Sequence, residues 1–178
     1  MAAPSRTEHT RRLLAQTTSR VIGDGGLKSL TMISAAQESG LARATVYNYV
    51  RDKNQLIDLA VAEFSRELRD IALSPAASVV DGLLKLSEFV STHPLIVGLR
   101  TFNPDILQAG ITHVLQFDDE TAELAMEACH SLGINADLAA AETVVRWLVS
   151  YAIVAGGDAE REAGAEVLAA SLKLDAHR

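Results

Sequence analysis

A glycine break between two short helical segments constrains the fold of this chain more than any other feature. Thr31 can cap a short helix, and Ser39-Gly40 ends it, because glycine readily adopts the positive φ of a tight turn. A third short helix is expected from about Arg43 to Tyr49. Two short helices joined by a glycine-containing turn predict a helix-turn-helix, whose second helix fits the major groove of DNA.

The segment that follows Gly40 has a core-facing side and a polar side. Leu41, Val46 and Val50 are spaced to face the core. The polar side offers hydrogen-bond donors and aromatic rings from Arg43, Thr45, Tyr47, Asn48 and Tyr49. Two neighbouring exposed tyrosines indicate a binding surface, and the alternative is that both tyrosines only brace the core.

The remainder of the chain predicts further helices. Hydrophobic residues make up 48% of the sequence and aromatic residues only 4%, a balance that favours helix over sheet. A capping box at Ser5 and Glu8 predicts a first helix that ends in the Gly23–Gly26 cluster. Asp52, with Gln55 reaching back, caps a long helix to about residue 72. Later helices are expected at 79–90, 94–102, 104–117, 119–132, 137–155 and 159–174.

Charge is unevenly distributed along the sequence. The whole chain has a formal net charge of −7, yet residues 1–53 hold eight Lys/Arg against four Asp/Glu, a net of +4, and the remainder carries −11. A basic head on an acidic body favours one end as the contact for a polyanion such as DNA. Chance segregation of solvated charges is the alternative.

Four motifs follow one another at fixed spacing in the basic region. They are Thr31, Gly40-Leu41-Ala42, the Thr-Val-Tyr-Asn-Tyr-Val run that begins at Thr45, and Lys53. This pattern over residues 10–60 resembles the DNA-binding domain of the TetR family of bacterial regulators, with no insertion or deletion between Thr31 and Lys53. Three positions depart from the family pattern: Ala35 stands where a larger aliphatic residue is usual, Ala42 replaces a serine that caps the recognition helix, and Val50 replaces a phenylalanine.

The resemblance implies an all-α fold with two domains. Residues 1–52 would form a three-helix DNA-binding domain with the helix-turn-helix, and residues 53–178 an antiparallel helical ligand-binding and dimerisation domain. It implies a homodimeric, cytoplasmic repressor that a small hydrophobic effector releases from a palindromic operator in double-stranded DNA. An activator, or a helix-turn-helix protein without a small-molecule ligand, is the alternative.

The resemblance and side-chain chemistry together give candidate DNA contacts. These are Thr31, Arg43, Thr45, Tyr47, Asn48, Tyr49 and Lys53. Lys53 at a helix N-terminus suits a phosphate, Arg43 suits a guanine edge or a second phosphate, and Asn48 suits adenine. Upstream, Arg6, Arg11 and Arg12 suit either a minor-groove arm or, as the favoured interpretation, a solvated disordered tail.

The body offers two further sets of candidates. Aromatic and polarizable residues spread over successive helices suggest an apolar ligand pocket formed by Phe89, Phe102, His113, Phe117, Met126, Trp147 and Tyr151. Filling of the core is the alternative for each of them. By the family's habit, the last two helices would bury a dimer interface formed by Val144, Val145, Leu148, Val167, Leu168 and Leu172.

Enzymatic function finds little support in the sequence. It contains no glycine-rich phosphate loop, no Gly-x-Ser-x-Gly and no His-Glu-x-x-His, and its five histidines are scattered. The single cysteine, Cys129, excludes an internal disulfide and a cysteine-based zinc cluster, and it suits a reducing cytoplasm. We therefore expect no cofactor, no metal and no membrane partner.

Overall fold

A computed structural model describes residues 5–134 and 137–175, with only the backbone at 120 and 173–175. These described residues form α-helices and no strand, which confirms the predicted all-α class. The helices are α1 (Arg6–Ser29), α2 (Met32–Ser39), α3 (Arg43–Tyr49), α4 (Lys53–Ala72), α5 (Val79–Thr92), α6 (Pro94–Phe102), α7 (Pro104–Leu115), α8 (Asp119–Ser131), α9 (Leu138–Ile153) and α10 (Asp158–Asp175). None of them, within the described ranges, is long and apolar enough to cross a membrane.

Side-chain caps begin the early helices where the sequence predicts them. The Ser5 hydroxyl accepts from the Glu8 N–H at 3.2 Å, and the Ser5 N–H donates to the Glu8 carboxylate at 2.8 Å. The bond from the Ser5 N–H to the carboxylate is the main cause that lowers the pKa of Glu8. Asp52 accepts from the Gln55 N–H at 3.0 Å, and the Gln55 side chain reaches one residue further back, to the Arg51 N–H at 2.8 Å.

Backbone conformation sets the ends of two helical stretches. The regular helix of α1 ends in the glycine cluster, as the sequence predicts: Gly25 and Gly26 are non-helical, with Gly26 at φ 69°, and a further short turn runs on to Ser29 beyond the kink. Helix α7 ends at Leu115 rather than at Phe117, because Phe117 has a φ of 51° that an α-helix cannot accommodate.

The chain forms two compact units. Unit 1 comprises the described residues up to Arg66 together with Pro94–Pro104, and unit 2 comprises Glu67–His93 and the described residues from Asp105 onward. This grouping is by packing, whereas the predicted division after residue 52 is by function. The functional division stays a prediction.

Unit 1 has its own hydrophobic core, built from α1 to α4 and α6. Its buried members are Leu14, Ile22, Leu30, Ala35, Ala36, Val46, Val50, Leu56 and Leu95. Helix α6 packs closely on α1. A Cβ atom at Gly98 would lie 2.1 Å from the carbonyl oxygen of Ile22, so this approach of the two backbones requires glycine at position 98.

Unit 2 has a second core, built mainly from α5, α8, α9 and α10. Its buried members include Leu83, Leu86, Ala125, Cys129, Leu132, Ala141, Val144, Ala165, Leu168 and Leu172. Arg161 is buried and closes the turn between α9 and α10. Its guanidinium donates to the carbonyl oxygens of Ala155 and Gly156 at 3.2 Å each and pairs with Asp158.

Candidate nucleic-acid interface

The predicted helix-turn-helix is present in unit 1. Helix α2 begins at the Thr31 cap, whose hydroxyl accepts from the Ser34 N–H at 2.9 Å, and α2 packs against α3. Gly40 ends α2 in the left-handed conformation, with a φ of 68°, as the turn requires. Two fully buried residues, Val46 and Val50, anchor α3 to the core and fix which of its sides is exposed.

The exposed side of α3 carries most of the predicted base-reading groups. Arg43 and Asn48 are exposed, and the Tyr47 side chain is 56% exposed. Tyr49 is half-buried and packs against the core of unit 1. The alternative that both tyrosines only support the core therefore holds in part for Tyr49, which packs there. Tyr47 is exposed and can contact a partner.

Helix α3 lacks a side-chain cap, as the sequence predicts. Ala42 occupies the N-cap position and makes no side-chain hydrogen bond. An alanine there typically costs about 1 kcal/mol of helix stability relative to serine. The stability of helix α3 therefore depends on its packing through Val46 more than on hydrogen bonds at its N-terminus.

A groove with several polar side chains lies between the N-terminal turns of α1 and the length of α3. Its volume is about 610 Å³, and it is lined by Arg6, Thr7, Thr10, Arg11, Leu41, Thr45, Asn48 and Tyr49. Of these eight described residues two are arginines and none is acidic. The groove brings three predicted DNA contacts, Thr45, Asn48 and Tyr49, together with residues of α1 that lie outside the helix-turn-helix motif.

The three N-terminal arginines do not share one environment. Arg6 is the first residue of α1, so the expectation of a disordered tail from residue 6 onward is wrong, and the Ser5–Glu8 capping box explains why. Arg6 and Arg11 line the groove. The Arg12 guanidinium instead pairs with the Glu63 carboxylate of α4 at 3.2 Å.

Lys53, the predicted phosphate contact, is half-buried at the start of α4. Its ammonium donates to the carbonyl oxygen of Leu27 at 2.5 Å. The Leu27 N–H in turn donates to the Asn103 side-chain oxygen at 2.8 Å. Asn103 escaped the sequence analysis because it lies 76 residues from its partner, beyond the reach of any local pattern.

The seven predicted pocket residues are distributed over both units. Phe102 belongs to unit 1 and is 48% exposed, while the other six belong to unit 2. Phe117, Met126 and Trp147 pack against the unit 2 core, and the Phe89 ring lies 5.0 Å from the His93 ring. Trp147 and Tyr151 make an edge-to-face contact with ring centroids 5.0 Å apart, and His113 is exposed.

A shallow apolar depression lies between α9 and α10. It has a volume of about 430 Å³ and is lined by Thr143, Trp147, Ala163, Gly164, Val167, Leu168 and Ser171. Trp147 is the one predicted pocket residue among them. Of the predicted dimer residues, Val144, Leu168 and Leu172 are buried within the chain, Val145 and Leu148 are partly buried, and Val167 is 71% exposed.

Comparisons with known proteins agree with this arrangement. No protein-family model matches the sequence. The HTH-type transcriptional regulator BetI of Escherichia coli is 28% identical over 76 residues, which is 43% of this chain and 39% of BetI. BetI of Cronobacter sakazakii is 32% identical over 60 residues, 34% of this chain and 30% of BetI. The chain thus matches well under half the length of these relatives.

Two solved structures match nearly the whole chain. The TetR-family repressor AlkX from Dietzia sp., implicated in biodegradation of n-alkanes, has a TM-score of 0.59 at 20% identity over 92% of this chain and 96% of AlkX. A putative TetR-family transcriptional regulator from Mesorhizobium loti has a TM-score of 0.61 at 17% identity, over 95% of this chain and 97% of that protein. At this level of identity the likeness shows the fold, and the fold is that of the TetR family.

Proposed function

We propose, from the premise that this chain has the TetR-family fold, that it is a transcriptional regulator that binds double-stranded DNA as a homodimer in the cytoplasm. One observation carries the proposal. The core-anchored α3 exposes Arg43, Tyr47 and Asn48 beside a groove that holds Arg6 and Arg11. Exposed donors that read base edges, next to cations that neutralise phosphates, are what a major-groove reader needs.

The side chains divide the work of recognition by their chemistry. Arg43, in the first turn of α3, reaches guanine O6 and N7, and Asn48 pairs with adenine. The phosphate backbone is met by Lys53, by the hydroxyls of Thr31 and Tyr47, and by the two groove arginines. Thr45 and Tyr49, on the wall of the groove, complete the contact at the α1 side.

Dimerisation is proposed through α9 and α10. Val167 is 71% exposed and, with Trp147 and Leu168, lines the apolar depression between these helices. A second copy in two-fold symmetry is the partner proposed to cover Val167 and this depression, since most soluble oligomers are symmetric homo-oligomers. A dimer would place two α3 helices about 34–36 Å apart, one helical turn of DNA.

The second part of the proposal is repression relieved by a small hydrophobic effector. The candidate contacts remain the aromatic set of the body, of which Trp147 borders an open depression. AlkX, which shares the fold, is a repressor implicated in biodegradation of n-alkanes, and this supports an apolar ligand class. A ligand must bind the non-DNA-binding state more tightly, because equal affinity for both states shifts nothing.

Selection of bound fragments from the organism's genomic DNA tests DNA binding directly. The expected result is enrichment of a palindromic sequence, which is lost when Arg43→Ala and Lys53→Ala are combined. A selection that yields no common sequence, and equal recovery with the double variant, would refute specific DNA binding.

A fluorescence titration tests the effector separately. Trp147 is the single tryptophan of the chain, so the tryptophan emission of the protein reports on the surroundings of this one residue. A series of n-alkanes and aromatic hydrocarbons is added to the protein on its selected DNA, and release should accompany a change in emission. If no compound in the series weakens DNA binding, the alternative of a regulator without a small-molecule ligand is favoured. A separate transcription assay distinguishes a repressor from an activator, because an activator would stimulate transcription from the selected DNA.

A further inference from the structure

Three residues of unit 1 form a hydrogen-bond chain that joins the end of α6 to the start of α4. Asn103 follows the last residue of α6, and its side-chain oxygen accepts from the Leu27 N–H at 2.8 Å. The Leu27 carbonyl oxygen accepts from the Lys53 ammonium at 2.5 Å. Asn103 and Lys53 are both half-buried, so water competes weakly for these bonds.

The kink in α1 makes this chain possible. Gly25 and Gly26 leave the helical conformation, so the Leu27 N–H has no regular helical partner and the Asn103 side chain supplies one. The Leu27 carbonyl lies in the last turn of α1, where carbonyl oxygens can accept from groups outside the regular helix. It accepts from the Leu30 N–H at 3.3 Å and also from the Lys53 ammonium, 26 residues further along the chain.

We propose that Asn103 is a positioning residue for DNA binding, which holds the backbone at Leu27 so that the Leu27 carbonyl fixes the Lys53 ammonium at the N-terminus of α4. This inference rests on the proposed function. An ammonium has three donors, and Leu27 takes one, so two stay available to a phosphate oxygen. A lysine on its flexible stem normally loses rotamer freedom when it binds, and a lysine already held by Leu27 loses less.

A double-mutant cycle separates positioning from a general effect on folding. The probe is a mixed-sequence duplex of about 30 base pairs, long enough for two half-sites one helical turn apart, because phosphate contacts do not depend on sequence. Its binding is followed by fluorescence anisotropy over a range of salt concentrations. The proteins are the parent, Asn103→Ala, Lys53→Ala and their combination, with Thr101→Ala, an exposed α6 change, as control.

The expected loss for Asn103→Ala is about fivefold in affinity, because a Lys53 side chain that is no longer held must be immobilised when it binds the phosphate. Lys53→Ala should reduce the salt slope by about 1. The combined variant should bind like Lys53→Ala alone, since Asn103 acts through that ammonium. Asn103→Leu, which fills the space without an acceptor, should repeat the loss, and Asn103→Asp, which keeps the acceptor, should recover most of it.

Two results overturn the inference. One is an equal loss of affinity when Asn103→Ala is made in the parent and when it is made in Lys53→Ala. That result would mean that Asn103 affects the folding of the protein and not the Lys53 ammonium. The other needs no DNA: the NMR resonances of the Lys53 side chain should move toward those of free lysine in Asn103→Leu, and unchanged resonances contradict positioning. A parent that binds no duplex even at low salt refutes the proposed function instead, while the resonances still report on the hydrogen-bond chain.

Discussion

The guanidinium of Arg12 lies 3.2 Å from the carboxylate of Glu63, whereas its neighbour Arg11 lines the groove beside α3. Glu63 also takes two hydrogen bonds from Arg66, at 2.9 and 2.7 Å. Two consecutive arginines therefore serve different purposes, since one ties α1 to α4 and the other faces the proposed DNA.

This difference gives a matched pair of variants. Arg11→Gln should weaken binding to every duplex and lower the salt slope by about 1, because it removes one phosphate contact. Arg12→Gln should leave the slope unchanged and lower the free energy of unfolding by less than about 1 kcal/mol, because Arg12 is half exposed and Glu63 keeps its two hydrogen bonds from Arg66. Salt-dependent anisotropy and urea denaturation measure the two effects. Equal slopes for both variants would contradict the assignment of the groove.

Arg43 and Lys53 should differ in a second way. Arg43→Ala should relax the base preference at one position of the selected sequence, at a cost of about 1–3 kcal/mol on that sequence. Lys53→Ala should lower the affinity for DNA of every sequence by the same factor. Competition between the selected duplex and single-base variants distinguishes these outcomes, and a uniform loss for Arg43→Ala would make Arg43 a phosphate contact.

Helix α3, which lacks a side-chain cap, can be stabilised by a substitution at its N-cap. Ala42→Ser introduces a hydroxyl that can accept from the first-turn amides of α3, and it should raise the free energy of unfolding by about 1 kcal/mol. Ala44→Ser, also exposed but inside the helix, is the control and should be neutral or slightly destabilising. Urea denaturation monitored by circular dichroism provides the comparison, and an equal response of the two variants would argue against a capping effect.

The dimer surface is tested best at Val167. Leu168 and Leu172 are buried within the chain, so charges there would disturb the unit 2 core itself, but Val167 is 71% exposed. Val167→Glu should yield folded monomers in sedimentation equilibrium, with loss of operator binding. Gln116→Glu adds the same charge on the loop between α7 and α8 and should stay dimeric. A dimeric Val167→Glu protein would place the interface elsewhere.

His93 should make stability depend on pH. Burial lowers the pKa of His93 below its ordinary 6.5, and the Glu67 carboxylate 3.5 Å away only partly opposes this. The unfolded chain therefore binds a proton more readily than the native chain does. The contribution of neutral His93 to the free energy of unfolding is fully present above pH 6.5 and is lost as the pH falls toward the lower pKa of the native state. Denaturation between about pH 8 and pH 5 should show this slope, and His93→Gln should remove it. The exposed His130→Gln should preserve it.

Local sequence signals placed the helices well because the residues that start and stop them act within one turn. Ser5, Thr31 and Asp52 each bond a backbone amide three residues on, and Gly40 takes the positive φ its position demands. The missing cap at Ala42 was recognised in another way, from the resemblance to the family pattern, in which a serine stands at that position. Distances of three and four residues are visible in a sequence.

The tertiary relationships were not visible in that way. Nothing near Asn103 indicates Leu27, and nothing near Arg12 indicates Glu63, because those pairs are joined by folding rather than by spacing. For the same reason the sequence shows that Phe102 is aromatic but not that it belongs to unit 1, and the predicted pocket stays a prediction. Residue type alone could not decide which aromatic rings share a volume.

The contact of α6 with α1 at Gly98 has a mechanical consequence. A side chain between two helices acts as a soft spacer, since it can change rotamer when one helix is displaced. At Gly98 the α6 backbone faces the Ile22 carbonyl directly, with no room even for a methyl group. Backbone against backbone is stiff, so a small displacement of α6 toward α1 moves α1 by nearly the same amount instead of being absorbed.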